Sequence, residues 1–172
     1  MLKSDFFKKT KTFSIEKNPE PFTISEDSVK QFLISIFERA EKLKTPPPDI
    51  DHDLWKWFNM TVPGIAENFE TIIFSFKKDL THSQILKEAE NTGVKKIYSY
   101  LEALSIILEA VFLGELDEYE KQLLVYFQIK GKKMLYCFSV FCCDDFQLWI
   151  RVFNVGSGDC LTTASGVCFD NQ

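Results

Sequence analysis

The sequence has 172 residues, of which 45% are hydrophobic and 26% are charged, and its formal net charge is −5 at pH 7. This composition is typical of a globular protein and excludes an intrinsically disordered chain, which would be poorer in apolar side chains. The mild acidity argues against a general nucleic-acid-binding protein, because such a protein carries a basic face. We therefore expect one globular domain over residues 1–172.

The first twenty residues form a basic N-terminal arm in which aromatic residues interrupt the lysines. One interpretation is an arm that packs its aromatic side chains on the domain, with an edge strand at 12–16. The other is a basic contact arm for a partner, for nucleic acid or for a membrane surface. We favour the first, because five lysines are a weak electrostatic signal: Lys3, Lys8, Lys9, Lys11 and Lys17.

The front half of the chain has the pattern of helices. Residues 25–44 predict the first helix, because apolar residues recur at spacings of three and four after Ser25, a typical N-cap. Three prolines at 46–48 end it, and a shorter helix is predicted at 50–60. That segment contains Trp55 and Trp57, for which we favour packing in the core over an exposed aromatic patch.

Two capping boxes define the next two helices. Phe69 to Phe76 first predicts an additional strand near 69–76, because β-branched and aromatic residues dominate it. Thr81 with Gln84 then opens a helix at 82–92, and Ser99 with Glu102 opens the most apolar helix, at 99–113. This last segment is shorter than the ~20 apolar residues that a membrane span requires, so we expect no membrane span.

The C-terminal half changes to the two-residue period of strands. Strands are predicted at about 122–129, 134–143, 146–155 and 164–169, joined by short turns, as in an antiparallel meander. Helices followed by strands indicate an α+β fold. We therefore expect N-terminal helices packed on a C-terminal antiparallel β-meander.

Two surfaces are candidates for binding a partner. On the strand at 146–155, one face combines aromatic residues with an arginine, a composition typical of interface hot spots; a stacked surface arginine without a partner is the alternative. A dense acidic run precedes the strands, either as a solvated connection or as a dock for a basic partner. The candidate residues are Trp149, Arg151 and Phe153 on the strand, and Glu115, Asp117, Glu118 and Glu120 in the acidic run.

The sequence contains no pattern that identifies catalysis, a cofactor or a metal. Its two histidines, His52 and His82, lie in the helical half, whereas a cysteine nucleophile needs a histidine within hydrogen-bond reach. An odd number of cysteines without a signal peptide indicates reduced thiols and a cytoplasmic protein. The five cysteines all lie in the strand region: Cys137, Cys142, Cys143, Cys160 and Cys168.

These observations favour a small cytosolic protein without enzymatic activity that binds another protein, as an inhibitor, immunity or adaptor protein does. The first alternative is an enzyme whose cleft is assembled from distant residues, such as a Cys-dependent hydrolase. The second is nucleic-acid binding through the N-terminal lysines. The sequence leaves the oligomeric state open.

Overall fold

The computed structural model describes residues 7–28, 31, 34–35, 38, 49–50, 58–94, 97–112, 122–142, 148–157, 161–162 and 166–170. Three helices lie in these ranges. The helical residues between 26 and 38 belong to α1, and the other two are α2 (His82–Thr92) and α3 (Tyr100–Phe112). None of the helices in the described ranges is long and apolar enough to cross a membrane.

Eleven strands are described, and seven of them form one sheet. In chain order they are β1 (Phe7–Ile15), β2 (Phe22–Thr23), β3 (Asp49–Ile50), β4 (Thr61–Val62), β5 (Phe69–Phe76), β6 (Leu80–Thr81), β7 (Gln122–Gln128), β8 (Leu135–Cys142), β9 (Leu148–Asn154), β10 (Leu161–Thr162) and β11 (Gly166–Asp170). The large sheet has the order β1-β5-β11-β7-β8-β9-β3. Its pairs are antiparallel except for β11 with β7 and β3 with β9, which are parallel.

The centre of the large sheet is buried on both faces, as β7 shows. Leu123, Val125 and Phe127 point to one face and Leu124 and Tyr126 to the other, because successive side chains on a strand alternate, and all five are buried. The first face packs against α3 and is called the α3 face; the second packs against α2 and is called the α2 face. The sheet is therefore the middle layer between helices.

Aromatic rings fill much of the α3 face. Phe127 stacks on Phe138 with ring centroids 4.4 Å apart, and Phe58 meets Tyr136 edge-on at 4.9 Å. Such pairs add about 0.5–1.5 kcal/mol each beyond the area that they bury. Phenylalanine, of which the sequence has seventeen residues, is thus a major component of a core that is rich in ring–ring contacts.

Both capping boxes predicted from the sequence are present. Thr81 caps α2 through a reciprocal pair of hydrogen bonds with Gln84, and α2 ends at Gly93 with a left-handed φ of 72°. At α3, the Ser99 N–H donates to the Glu102 carboxylate at 2.7 Å, and the Glu102 N–H donates to the Ser99 hydroxyl at 3.3 Å. The local signals therefore place the starts of both helices correctly.

The predicted order of elements is wrong in two respects. The helices lie mid-chain rather than N-terminal, since β1 and β5 precede α2 and α3. The predicted four-strand meander is not formed, because β11 inserts between β5 and β7 and runs parallel to β7. Hydrophobic periodicity locates strands but carries no information on which distant strand each one joins.

The helix predicted at 50–60 also differs from the structure where the chain is described. Asp49–Ile50 is a strand paired with β9, and Phe58 lies in a turn. At residues 49–50, pairing with a distant strand therefore takes precedence over the local pattern. Residues 51–57, including Trp55 and Trp57, lie outside the described residues, as do 39–44 of the first predicted helix.

Candidate functional site

The pairing of β8 with β9 assembles a cation–aromatic cluster on the α2 face. Phe141 lies opposite Trp149, and Ser139 lies opposite Arg151. The Arg151 guanidinium is 5.1 Å from the Phe141 ring centroid and 5.8 Å from that of Trp149. We call Phe141, Trp149 and Arg151 the Arg151 patch.

Exposure of the Arg151 patch leaves it open to a partner. Arg151 is exposed, and Trp149 and Phe141 are half-buried. Each cation–ring contact at such a site contributes about 0.5–1 kcal/mol and restricts the long arginine side chain. A guanidinium that stacks by its plane keeps its in-plane N–H donors directed outward, where they fit a carboxylate.

The buried residue beside the Arg151 patch is polar, and its side chain is hydrogen-bonded. Ser139 is 2% exposed, and the Gln122 side-chain amide donates a hydrogen bond to its hydroxyl. Two residues along β8, Cys137 is fully buried in the cluster that packs under α2. This face of β8 is therefore covered as far as Ser139, and the patch begins at the half-buried Phe141.

The structure brings two of the predicted strand residues together and adds one. Phe153 is half-buried and packs edge-on against His82 of α2, with centroids 5.3 Å apart, so it belongs to the rim of the α2 core rather than to the patch. Phe141 was missed by sequence reasoning, because a two-residue turn at 144–145 between the predicted strands would pair it with Leu148, whereas the actual register pairs it with Trp149. The acidic candidates Glu115, Asp117, Glu118 and Glu120 lie outside the described residues.

A second feature is a cleft on the α3 face. Its volume is about 440 Å³, and it is lined by residues 62–63, 97–100 and 128–132; we call it the α3 cleft. Backbone hydrogen bonds from Tyr98 N–H to Tyr126 O (3.1 Å) and from Gln128 N–H to Tyr98 O (2.9 Å) hold the start of α3 beside the end of β7. The first turn of α3 therefore forms one wall.

The β7–β8 turn forms the opposite wall and carries two lysines, Lys130 and Lys132. Gly131 between them has a φ of 87°, a backbone conformation that residues with a Cβ rarely adopt. The Lys132 N–H donates to Ile129 O at 2.9 Å, which closes the turn. The Lys132 ammonium lies 5.5 Å from the Phe58 ring centroid, so the turn is fastened to the aromatic core.

Two tyrosines line the α3 cleft and differ in hydrogen bonding. The Tyr98 hydroxyl lies 2.6 Å from the Thr71 hydroxyl, which itself donates to Phe169 O at 3.0 Å. The Tyr100 side chain is 1% exposed, and its hydroxyl has no hydrogen-bond partner in the described structure. Burial raises the pKa of Tyr100, so its hydroxyl stays protonated and remains a donor.

The two cysteines whose side chains the structure describes do not have the character of nucleophiles. Cys137 and Cys168 are both buried free thiols. Burial raises the pKa of Cys137, whereas a reactive cysteine needs a lowered pKa. His82 is engaged elsewhere, since its Nδ1 lies 2.6 Å from the Tyr126 hydroxyl. His52, Cys143 and Cys160 lie outside the described residues.

Comparison with protein-family models, with curated proteins and with solved structures finds no match for this chain. The geometry of the described residues is thus the basis for a functional proposal. Among those residues, no group of three or more His, Cys, Asp and Glu side chains could hold a metal ion.

Proposed function

We propose that the protein acts by binding another protein through the Arg151 patch. The observation that carries the proposal is the exposed guanidinium of Arg151, stacked on Phe141 and Trp149 beside the covered part of β8. Aromatic residues and arginine are the side chains most enriched at interface hot spots. A role as inhibitor, immunity or adaptor protein is consistent with such a surface.

The partner that fits this surface presents an Asp or Glu side chain next to an apolar residue. A carboxylate pairs with the in-plane donors of Arg151, and the apolar neighbour covers the half-buried rings of Phe141 and Trp149. The net charge of −5 opposes an acidic partner at long range. That repulsion is screened beyond about 8 Å at physiological ionic strength, whereas the direct contact is not.

The two competing functions have less support. An enzyme that uses Cys137 would need a thiolate, and burial disfavours it. For nucleic-acid binding, Lys8 and Lys9 are exposed on β1, which is the edge strand of the large sheet. Lysines on an edge strand commonly prevent pairing with another chain, so a nucleic-acid ligand is not needed to explain them. Free thiols at Cys137 and Cys168 fit the proposed cytoplasmic location.

The test begins with capture of proteins from the native host on the immobilised wild-type protein, followed by titration with the purified candidate in a calorimeter. We expect Arg151→Ala and Phe141→Ala each to weaken binding of that partner by about 10-fold or more, as hot-spot truncations do. Lys133→Ala is the matched control, because Lys133 is an exposed cation away from the patch. It should change the affinity less than about 2-fold.

Two outcomes would overturn the proposal. One is that every purified candidate binds Arg151→Ala and Phe141→Ala as tightly as the wild type. The other is that the Arg151→Ala protein retains every host protein that the wild-type protein retains. Thermal unfolding of each variant, measured in parallel, separates a loss of binding from a loss of folding.

A further inference from the structure

We propose that the α3 cleft binds a small organic anion with an apolar body. This site is separate from the Arg151 patch, since the α3 cleft and the patch lie on opposite faces of the large sheet. The volume of about 440 Å³ is within the range of about 300–1,000 Å³ that is typical of ligand pockets. Three observations define the ligand.

One part of the lining of the α3 cleft indicates that the ligand has an apolar body. Val62, Pro63, Ile97 and Ile129 border the cleft, and Ile129 and Val62 belong to the buried core of the α3 face. Apolar lining with a few polar groups is the usual composition of a small-molecule site, because burial of apolar surface supplies the affinity and the polar groups fix the orientation.

The two walls of the α3 cleft indicate that the ligand is negatively charged. Lys130 and Lys132 lie on the β7–β8 turn, and the first turn of α3 faces them. The capping box uses the N–H groups of Ser99 and Glu102, whereas the N–H groups of Tyr100 and Leu101, the first two residues of α3, have no acceptor within the helix. Together with the helix dipole, they favour an anion.

One negatively charged side chain near the cleft disfavours an anionic ligand. The Glu102 carboxylate lies in the first turn of α3, where it accepts the Ser99 N–H at 2.7 Å. Glu102 is not among the residues that line the cleft, whereas Lys130 and Lys132 both are.

The probe for the test is 8-anilinonaphthalene-1-sulfonate, which joins an apolar body to one anionic group. We expect calorimetric titration of the folded protein to saturate at one site per chain. The Lys130→Gln/Lys132→Gln double variant should bind it about 10-fold more weakly. The matched control Lys8→Gln/Lys9→Gln removes the same charge from exposed positions on β1 and should bind it within about 2-fold of the wild type.

Two further probes separate the parts of the proposal. N-phenyl-1-naphthylamine has the apolar body without the charge, and inorganic phosphate has charge without the body; both should bind at least about 10-fold more weakly than the sulfonate. Amide resonances of Ser99 and Gly131 should shift on titration with the sulfonate. Equal affinity for the uncharged probe, unchanged binding by the Lys130/Lys132 variant, or phosphate binding as tightly as the sulfonate would overturn the proposal.

Discussion

At the scale of single residues, the hydroxyl groups of Tyr98 and Tyr100 show how the same side chain can help or hinder folding. Tyr98 is joined through Thr71 to the carbonyl of Phe169, and so links β5 and β11 to the segment before α3. Tyr100 carries a buried hydroxyl with no partner within the described residues. Its ring contributes to the core, whereas its oxygen costs free energy.

We predict that Tyr100→Phe increases the free energy of unfolding by about 1 kcal/mol, because it removes an unsatisfied donor and keeps the ring contacts. Urea denaturation measures the change. Tyr98→Phe is the control, and it should lower stability by about 1 kcal/mol, because Thr71 loses a partner in a buried site. A Tyr100→Phe protein less stable than the wild type by 1 kcal/mol or more would show that its hydroxyl is satisfied within the free protein.

At the scale of elements, α3 combines a wide apolar surface with a narrow polar stripe. Ala103, Ile106, Ile107 and Ala110 are all fully buried. The residues Glu102, Ser105 and Glu109, at spacings of three and four, are only half-buried. This is the arrangement expected of a helix that is covered on most of its circumference.

We predict that Ile107→Asp abolishes the cooperative unfolding transition. A carboxylate at this fully buried position would cost several kcal/mol in addition to the lost apolar contacts, against a total stability of about 5–15 kcal/mol for a typical domain. Ser105→Asp, on the polar stripe, should keep the transition within a few degrees of the wild-type midpoint. Circular dichroism during heating distinguishes the two, and a normal transition for Ile107→Asp would mean that α3 is not part of the core.

The elements that the sequence predicts best are those with local signals. Thr81 with Gln84 and Ser99 with Glu102 locate α2 and α3, because a capping box depends on residues three positions apart. Two-residue alternation locates β5, β7, β8 and β9 for the same reason. The strand at Asp49–Ile50 could not be found, because it exists only through its pairing with Trp149 and Ile150 on β9.

The candidate sites also differ in how far the sequence predicts them. Trp149 and Arg151 share a face by alternation along one strand, so the sequence places them together. Phe141 joins them only through the β8–β9 register. The α3 cleft could not be predicted, because the bridge between Tyr98 and Phe127 places the start of α3 and the β7–β8 turn around one cleft, and no local pattern specifies that bridge.

At the scale of the whole molecule, β11 joins two parts of the sheet. It pairs with β5 on one side and with β7 on the other. It therefore connects β1 and β5 on one side with β7, β8 and β9 on the other. Its residues Val167, Cys168 and Phe169 are all buried and alternate between the two cores.

We predict that a chain ending at residue 162 does not unfold cooperatively. Without β11, the facing edges of β5 and β7 lose their backbone partners, and both cores lose buried side chains. A chain ending at residue 170 retains the whole strand and should unfold as the full chain does. Calorimetry of both truncated proteins measures this difference, and a full calorimetric transition for the shorter one would show that the two parts of the sheet associate without β11.

The central position of β11 also determines when the protein can fold during its synthesis. A ribosome produces the chain from its N-terminus, so β5 and β7 emerge well before the strand that separates them. Until residue 170 has been released, both strands present open, apolar edges, which favour aggregation. Because this pairing spans nearly one hundred residues from Thr71 to Asp170, it is slow to form. We therefore expect the newly made chain to depend on chaperones until β11 has paired with both strands.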